Sequence, residues 1–468
     1  MPSSYIFRFG FLAICILCID AHVSFAQSLE VLEINITGNK RTKTKIIQRE
    51  ITLEVGDRIA QDELQSILDR SEQNIQNTGL FVKTEVSTSI VDNKLSVTFA
   101  VSETWYIYPQ PIFELADRNF NVWWKEEGRS LDRVNVGLRL IHLNLTGHRD
   151  KLKVTLQDGY TKKYEIDYFF PGINKAQTLG FFTNVFFARA REIAYITDEN
   201  KLLFYDFEEE FQLQRFRANI GLSYRPGFYT FHTFKVLWSD NMISDDIAFN
   251  LNTDYFFNNN NRQRHLLFEY NFTYDNRDIK PYPLHGQLFS ATIQKDGVGI
   301  TDDVNALVAS FSYQHYISFT DKISLGLIGA ARFNFLRHKQ PYTHVSSFGY
   351  EENIIHGYEL FVVDGLDHGL AKSAMRFELL NKEWNWGKLM FIKQFRQMPF
   401  KLYFVVNNDV AFINAPDYDD YGSLNNQLLW GGGVGLHFLV YFDKLIQVEY
   451  SINKLGERGL FLSLDLSL

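Results

Sequence analysis

The hydrophobic pattern of this chain changes period near Trp105. Between residues 29 and 103, strand-like alternation and helical spacing take turns. Beyond Trp105, short segments of alternating apolar and polar residues return roughly every twenty positions, the spacing of tilted membrane-spanning strands and their connections. Residues 134–140, 152–156, 266–273, 288–293, 308–316 and 402–406 are such segments, and 374–379 reads as another. The last is the most regular. From Gly459 onward leucine takes every even position, at Leu460, Leu462, Leu464, Leu466 and Leu468, while Phe461, Ser463, Asp465 and Ser467 take the odd ones. A basic side chain at mid-membrane costs about 2–4 kcal/mol and an acid less, so the leucines are expected to face lipid and Asp465 the lumen. In water this strand would be an exposed, aggregation-prone edge. No blade-length repeat with a fixed motif appears, which argues against a soluble propeller.

The segment before Trp105 predicts a small α+β module. Residues 31–36 alternate as a strand and end at the turn pair Gly38-Asn39, after which Thr42 or Thr44 is expected to cap a short helix running to Glu50. A second helix follows Gly56-Asp57, with Leu64, Ile67, Leu68 and Ile75 on one face, and stops at Asn77-Thr78-Gly79. Residues 81–90 and 95–101 then pair as a hairpin about Asp92-Asn93.

Composition narrows the class. The chain has 468 residues and 16% aromatic side chains, with 42 Phe and 24 Tyr; girdles of rings at both interfaces of a spanning barrel would use that many. Past the N-terminus no apolar run is long enough for a spanning helix. Residues 1–26 read as a secretory signal, with Arg8, an apolar stretch over 9–19, and Val23-Ser24-Phe25-Ala26 before the cut. Both cysteines, Cys15 and Cys18, fall inside it, so neither a disulfide nor a thiolate metal site is expected in the mature chain. The net charge of −8 argues against a nucleic-acid partner.

Few motifs point to chemistry. Asp275, Arg277 and Asp278, followed by Pro281, Pro283 and Gly286, read as a tight turn between two strands: the carboxylates and the guanidinium interlock, Pro283 fixes φ, and Gly286 admits a positive φ where the next strand begins. Gly431-Gly432-Gly433-Val434-Gly435 precedes a strand, not a helix, so it is not a phosphate loop; such glycines let a strand bend or a loop approach the wall. The twelve histidines form no ligand-spaced pair, and no metal or cofactor is expected. Asp417, Asp419 and Asp420 read as a solvated acidic loop in preference to a calcium site. No G-x-S-x-G occurs, and no enzyme activity is expected.

One further run carries a family resemblance. Gln340-Pro341-Tyr342, then Phe348-Gly349-Tyr350, then Ile355-His356-Gly357-Tyr358-Glu359, leading into residues 374–379, resembles the signature loop of the outer-membrane assembly barrels, the BamA/TamA superfamily. The turn at 275–286 and the run from Gly431 to Ile452 resemble the same superfamily, and the module over 27–103 resembles a single POTRA domain. The resemblance implies a transmembrane antiparallel β-barrel of about sixteen strands over 104–468, which agrees with roughly 22 residues per strand and connection. It also implies that residues 337–369 fold into the lumen, anchored by Ile355, His356, Gly357 and Tyr358. Family members carry Arg where His356 stands. A shorter, mostly neutral His is expected to anchor more weakly, which leaves Gly357 the more critical of the two.

For function, the resemblance implies a Gram-negative outer-membrane protein with its POTRA domain in the periplasm. Client outer-membrane or secreted proteins, membrane lipid, and periplasmic or lipoprotein accessory subunits are the implied partners. A lateral seam would join a strand near 134–142 to the terminal strand at Gly459, Leu460, Leu462, Leu464, Leu466 and Leu468. Three roles follow: an assembly or insertion factor, a translocation pore for a dedicated partner, or a structural subunit of an assembly complex.

Overall fold

The computed structural model describes residues 28–206, 210–280, 282–301, 303–350, 354–390, 396–418, 421–441 and 444–465. Residues 1–27, Pro281, Asp419, Asp420 and 466–468 lie outside that set, as does the side chain of Asp465, and the expectations that fall on them lie outside it too.

The N-terminal module is a four-stranded sheet with two helices. Its elements are β1 (Ser28–Thr37), α1 (Thr44–Gln48), β2 (Arg58–Ala60), α2 (Leu64–Gln76), β3 (Phe81–Val91) and β4 (Lys94–Glu103), in sheet order β2-β1-β4-β3. Leu95, Val97, Phe99 and Val101 alternate inward from β4 and meet Leu68 and Ile75 of α2, so the two periodicities in the sequence converge on one core. Asp92 and Asn93 both adopt positive φ, as a two-residue hairpin turn requires. The first helix is not capped as expected. Lys43 occupies its N-cap with no side-chain bond, while the buried Thr42 hydroxyl instead pairs with Tyr106 Oη at 2.9 Å and receives Asn144 Nδ2 at 2.9 Å. Thr42 is thereby committed to the barrel junction.

Beyond the module the described residues contain one sixteen-stranded antiparallel sheet. Its strands are β5 (Ile107–Leu115), β6 (Val134–Leu143), β7 (Lys151–Gly159), β8 (Thr161–Phe170), β9 (Leu179–Ala190), then β12 (Leu213–Tyr224), β13 (Thr230–Ile243), β14 (Arg262–Asp275), β15 (Gly286–Asp296), β16 (Ala306–Thr320) and β17 (Ile323–Asn334). They continue with β20 (Asp367–Asn385), β21 (Gln397–Asn414), β22 (Leu428–Val440), β23 (Lys444–Asn453) and β24 (Arg458–Asp465). The short hairpins β10 (Glu192–Asp198) with β11 (Lys201–Asp206), and β18 (Ser346–Phe348) with β19 (Val363–Asp364), lie in connections, as does α3 (Phe120–Lys125). Outer positions such as Leu138, Ile166, Ile220, Phe234, Phe311, Leu460 and Leu464 are exposed apolar side chains. That is the surface expected of a sheet solvated by lipid on its outer face. No helix among the described residues is long and apolar enough to cross a membrane.

Two expectations change. The first strand of the sheet is β5, not the segment near 134–142, which becomes the second strand, β6. The reason lies in Pro109 and Pro111, which make that run read as non-strand although an edge strand tolerates them. The small module also holds an extra three-residue strand, β2, too short to leave a periodic signal.

The module is tied to one end of the barrel by a buried carboxylate. Glu50 receives Arg225 Nη1 at 2.6 Å and Nη2 at 2.8 Å, with Arg149 at 3.4 Å, while Arg49 Nη2 reaches the Arg225 carbonyl at 2.8 Å. Burial pushes the Glu50 carboxyl up, but the Arg225 hydrogen bond and the charges of Arg149, Arg225 and Arg49 together hold it below its ordinary value.

Candidate functional site: the lumen loop and the terminal-strand seam

The connection between β17 and β20 returns into the barrel. Tyr342, Val345, Phe348, Ile355, Tyr358 and Val363 from this connection share one buried cluster with Ile193, Ile243, Tyr255, Ile413 and Leu429 from the surrounding strands and connections. Ile355 and Tyr358 are almost wholly buried. A plug with this much apolar contact is part of the folded core.

At its tip, glycines on both sides set the distance. Gly357 has φ +82°, and a Cβ there would sit 2.8 Å from the Ile452 carbonyl carbon and 2.9 Å from Asn453 N. A Cβ on Gly431 would collide with the carbonyl oxygen of His356. The loop backbone therefore rests on bare strand backbone in β22 and β23, closed by Asn453 Nδ2 donating to Gly357 O at 2.7 Å.

His356 is not the weak anchor that its size suggested. Its Nδ1–H and its backbone N–H both donate to Asp409 Oδ2, at 2.7 and 3.1 Å, and its Nε2 lies 3.2 Å from Glu449 Oε2. Burial pulls the His356 pKa down, but hydrogen bonds and charges from Asp409 and Glu449 outweigh it and push the imidazole up to about 10. Protonated, the ring stands between the carboxyl groups of Asp409 and Glu449, where an arginine of the family would place its guanidinium. Lys372 adds a cation 3.5 Å from Asp409.

The same network reaches the turn between β14 and β15. Asp275 pairs with Arg277 Nε at 2.8 Å and Nη2 at 3.0 Å, and Asp278 Oδ1 accepts the amides of Leu284 and His285 at 3.1 and 3.2 Å. Pro283 O accepts Arg376 Nη1 at 2.6 Å, and Gly286, at φ +100°, opens β15. Tyr282 turns inward: its ring lies under the Arg376 guanidinium at 4.3 Å and its hydroxyl meets His437 Nδ1 at 3.1 Å. His437 Nε2 is 3.1 Å from Glu449 Oε1, so the turn and the loop tip are joined through Tyr282, His437 and Glu449. Asp409, Glu449 and Tyr282 were not singled out in the sequence. The only sign available there was a carboxylate at an inward position of an alternating strand.

The two ends of the sheet form the second part of the site. Among the described residues β5 and β24 pair with β6 and β23 respectively and not with each other. Leu143 N–H donates to Tyr106 O and Ala116 N–H to Arg133 O. This puts the even residues of β5 on the β6 ladder and aims positions 107, 109, 111, 113 and 115 at the open edge. Pro109 and Pro111 occupy two of those five positions and remove two donors. On the other side, Asn453 N–H donates to Glu457 O, so Leu460, Leu462 and Leu464 of β24 present their backbone groups to the open edge.

One side chain takes a strand's place there. Asn121 of α3 accepts Leu462 N–H at Oδ1, 3.3 Å, and donates from Nδ2 to Leu462 O, 3.5 Å. Lys125 Nζ lies 4.9 Å from the ring centre of the buried Phe461. The same connection grips the plug: Arg118 Nη1 donates to the carbonyls of Gly349, Glu359 and Phe361 at 2.9–3.1 Å, and Asn119 Nδ2 to Glu359 O at 2.7 Å. Gly459, Leu460, Leu462 and Leu464 thus lie on the end strand of the sheet, which Asn121 of α3 meets at Leu462.

A sixteen-stranded, lipid-faced sheet with an inward plug and an N-terminal strand-helix-strand-helix-strand-strand module defines an outer-membrane β-barrel with a POTRA domain. Residues 30–104 match the POTRA model, described as a surface antigen variable number repeat, and residues 144–369 match the Omp85 superfamily domain; the chain belongs to the Omp85 superfamily, as a barrel with one POTRA domain. Among solved structures it is similar to BamA from Haemophilus ducreyi lacking POTRA domains 1–3, at 12% identity and TM-score 0.51, over 93% of this chain and 83% of that one. It is also similar to CdiB from Escherichia coli, at 10% identity and TM-score 0.54 over 96% and 92% of the two chains, and to CdiB from Acinetobacter baumannii, at 11% and 0.51 over 94% and 73%. No curated protein matches its sequence.

Proposed function

We propose that this protein is an assembly and insertion factor of a Gram-negative outer membrane. The POTRA domain, residues 27–103, lies in the periplasm after removal of a signal peptide over 1–26 and receives extended client segments on a sheet edge. The barrel, residues 104–468, then templates a client strand at its seam and releases it sideways into lipid.

The observation that supports this reading is the seam. The first strand lacks two edge donors at Pro109 and Pro111, and Leu462 on the last strand is held by a single carboxamide. Two hydrogen bonds at roughly 0.5–1.5 kcal/mol each are a small barrier beside a full ladder, so the edge of β24 opens at low cost. The loop anchor Ile355, His356, Gly357 and Tyr358 and the turn Asp275, Arg277, Asp278, Pro283 and Gly286 hold the remaining wall in shape while it does. Neither set is assigned chemistry.

The likeness to CdiB as well as to BamA keeps a second reading, an export pore for a dedicated partner. A locked seam separates the two. Asn121→Cys combined with Phe461→Cys or Ser463→Cys, tried in turn because bridged Cα atoms must lie within about 7 Å, should leave the barrel folded and block delivery of clients until reduced. Depletion should then lower a defined set of outer-membrane proteins. Full activity of the oxidised, locked barrel would sink the insertion reading and leave the export pore.

A further inference from the structure

Near the far end of the barrel, away from the module, three ligand-type side chains from three segments converge. His265 on β14 and Asp296 at the end of β15 are diagonal neighbours on one face, since Leu267 pairs with Asp296. His344 is brought to them by the plug, in a helical turn over Tyr342–His344. One donor atom from each lies within 4.8 Å of the other two. His265 Nε2 stands 3.6 Å from Asp296 Oδ1, and the two imidazole centres are 5.9 Å apart at 68°. His265 and Asp296 are buried.

We propose that His265, Asp296 and His344 form a zinc site that clamps the plug to the barrel wall. Tetrahedral Zn with bonds of about 2.0–2.2 Å sets its ligand atoms roughly 3.3–3.6 Å apart, so one pair already has the spacing and the third ligand closes by a rotation of its ring. The outer contacts are those that metal sites use. Gln294 Nε2 donates to Asp296 Oδ2 at 2.8 Å, which leaves Oδ1 on the histidine side. Thr343 Oγ1 pairs with His344 Nδ1 at 3.0 Å, which directs Nε2 to the metal. Two imidazoles and one carboxylate leave a fourth position for water.

The surroundings select the kind of ion. Arg332 donates to the carbonyls of His344 and Ser346 at 2.8 and 2.9 Å, which fixes the backbone that carries the plug's ligand. With two imidazoles and a single carboxylate, a hard cation such as calcium, which needs several oxygen ligands, gains too little. Zinc, whose affinity rests on imidazole nitrogen, is suited to it.

The test uses untagged, full-length protein in detergent, stripped with chelator and titrated with zinc chloride against a chromogenic chelator, with thermal unfolding followed in parallel. One zinc per chain and a rise in unfolding temperature are expected, with no such rise from calcium. His344→Ala and His344→Gln lie on the plug and should fold, yet weaken zinc binding by more than about 100-fold, beyond the ~10–100-fold typical of outer-contact losses. His148→Ala, on a turn near the module, should bind as the parent does. Failure of the parent protein to take up one zinc, or equal uptake by the His344 variants, overturns the proposal.

Discussion

Asn121 bonds both backbone groups of Leu462, its Oδ1 taking the N–H at 3.3 Å and its Nδ2 meeting the C=O at 3.5 Å, in the place where a seventeenth strand would pair. Because the connection that carries it also holds the plug through Arg118 and Asn119, the seam and the lumen share one short segment. One segment, residues 118–121, therefore touches both the plug and the edge of β24.

Asn121→Ala should loosen the seam alone. Loss of two bonds at about 0.5–1.5 kcal/mol each predicts amide hydrogen exchange at Leu462 faster by roughly 5- to 150-fold, with exchange in β14 and β15 unchanged. Asn121→Asp, which keeps the acceptor and loses the donor, should fall between. An unchanged rate at Leu462 in the alanine variant would show that the carboxamide does not guard the edge.

The His356 anchor predicts a pH dependence of defined sign. Its folded pKa is raised from 6.5 to about 10, so its stabilisation is complete below about 6.5 and is lost as the pH climbs through 10. Proteolysis of the plug should accelerate as the pH climbs through about 10. His356→Arg stays charged and should hold the plug through the same range. His356→Ala, which strands Asp409 and Glu449 without their shared cation, should cost about 3–5 kcal/mol at neutral pH. Parallel pH profiles for the parent and the arginine variant would refute the assignment.

Two glycines should be intolerant for steric reasons. Gly431→Ala drives a methyl into the His356 carbonyl, and Gly357→Val combines a backbone collision with an unfavourable φ of +82°. Both should lower the yield of heat-resistant folded barrel. Gly369→Ala, where a Cβ meets nothing within 4 Å, should not. Equal yields from all three would mean that the tip does not rest on β22 and β23.

The Glu50 clamp governs the POTRA domain. Its carboxyl is held below the ordinary value, so the clamp is complete above about pH 4.5 and weakens as the pH falls through the lowered value. Arg225→Ala removes the bidentate partner and should weaken the junction by about 2–4 kcal/mol, moderated by Arg149 and Arg49. Small-angle scattering should record a wider spread of module positions for that variant. An unaltered profile would place the junction's strength in Thr42, Tyr106 and Asn144 instead.

Much of this architecture was legible in the residues because its signals are local. Alternation in β14, β16 and β24, helical spacing in α2, and the Asp92-Asn93 turn each reside within a dozen positions, and backbone sterics read them directly. The prolines at 109 and 111 were a local signal too, for an edge strand, but one that hides the strand it marks.

What only the tertiary structure decided is which side chains meet inside the curved sheet. His356 finds Asp409 and Glu449 across 53 and 93 residues, Asn121 finds Leu462 across 341, and His265, Asp296 and His344 come together only because the plug crosses the lumen. Period-2 alternation states that a residue points inward. Strand order, curvature and the path of the plug determine what it faces, and those depend on pairings between distant segments that no window of sequence contains.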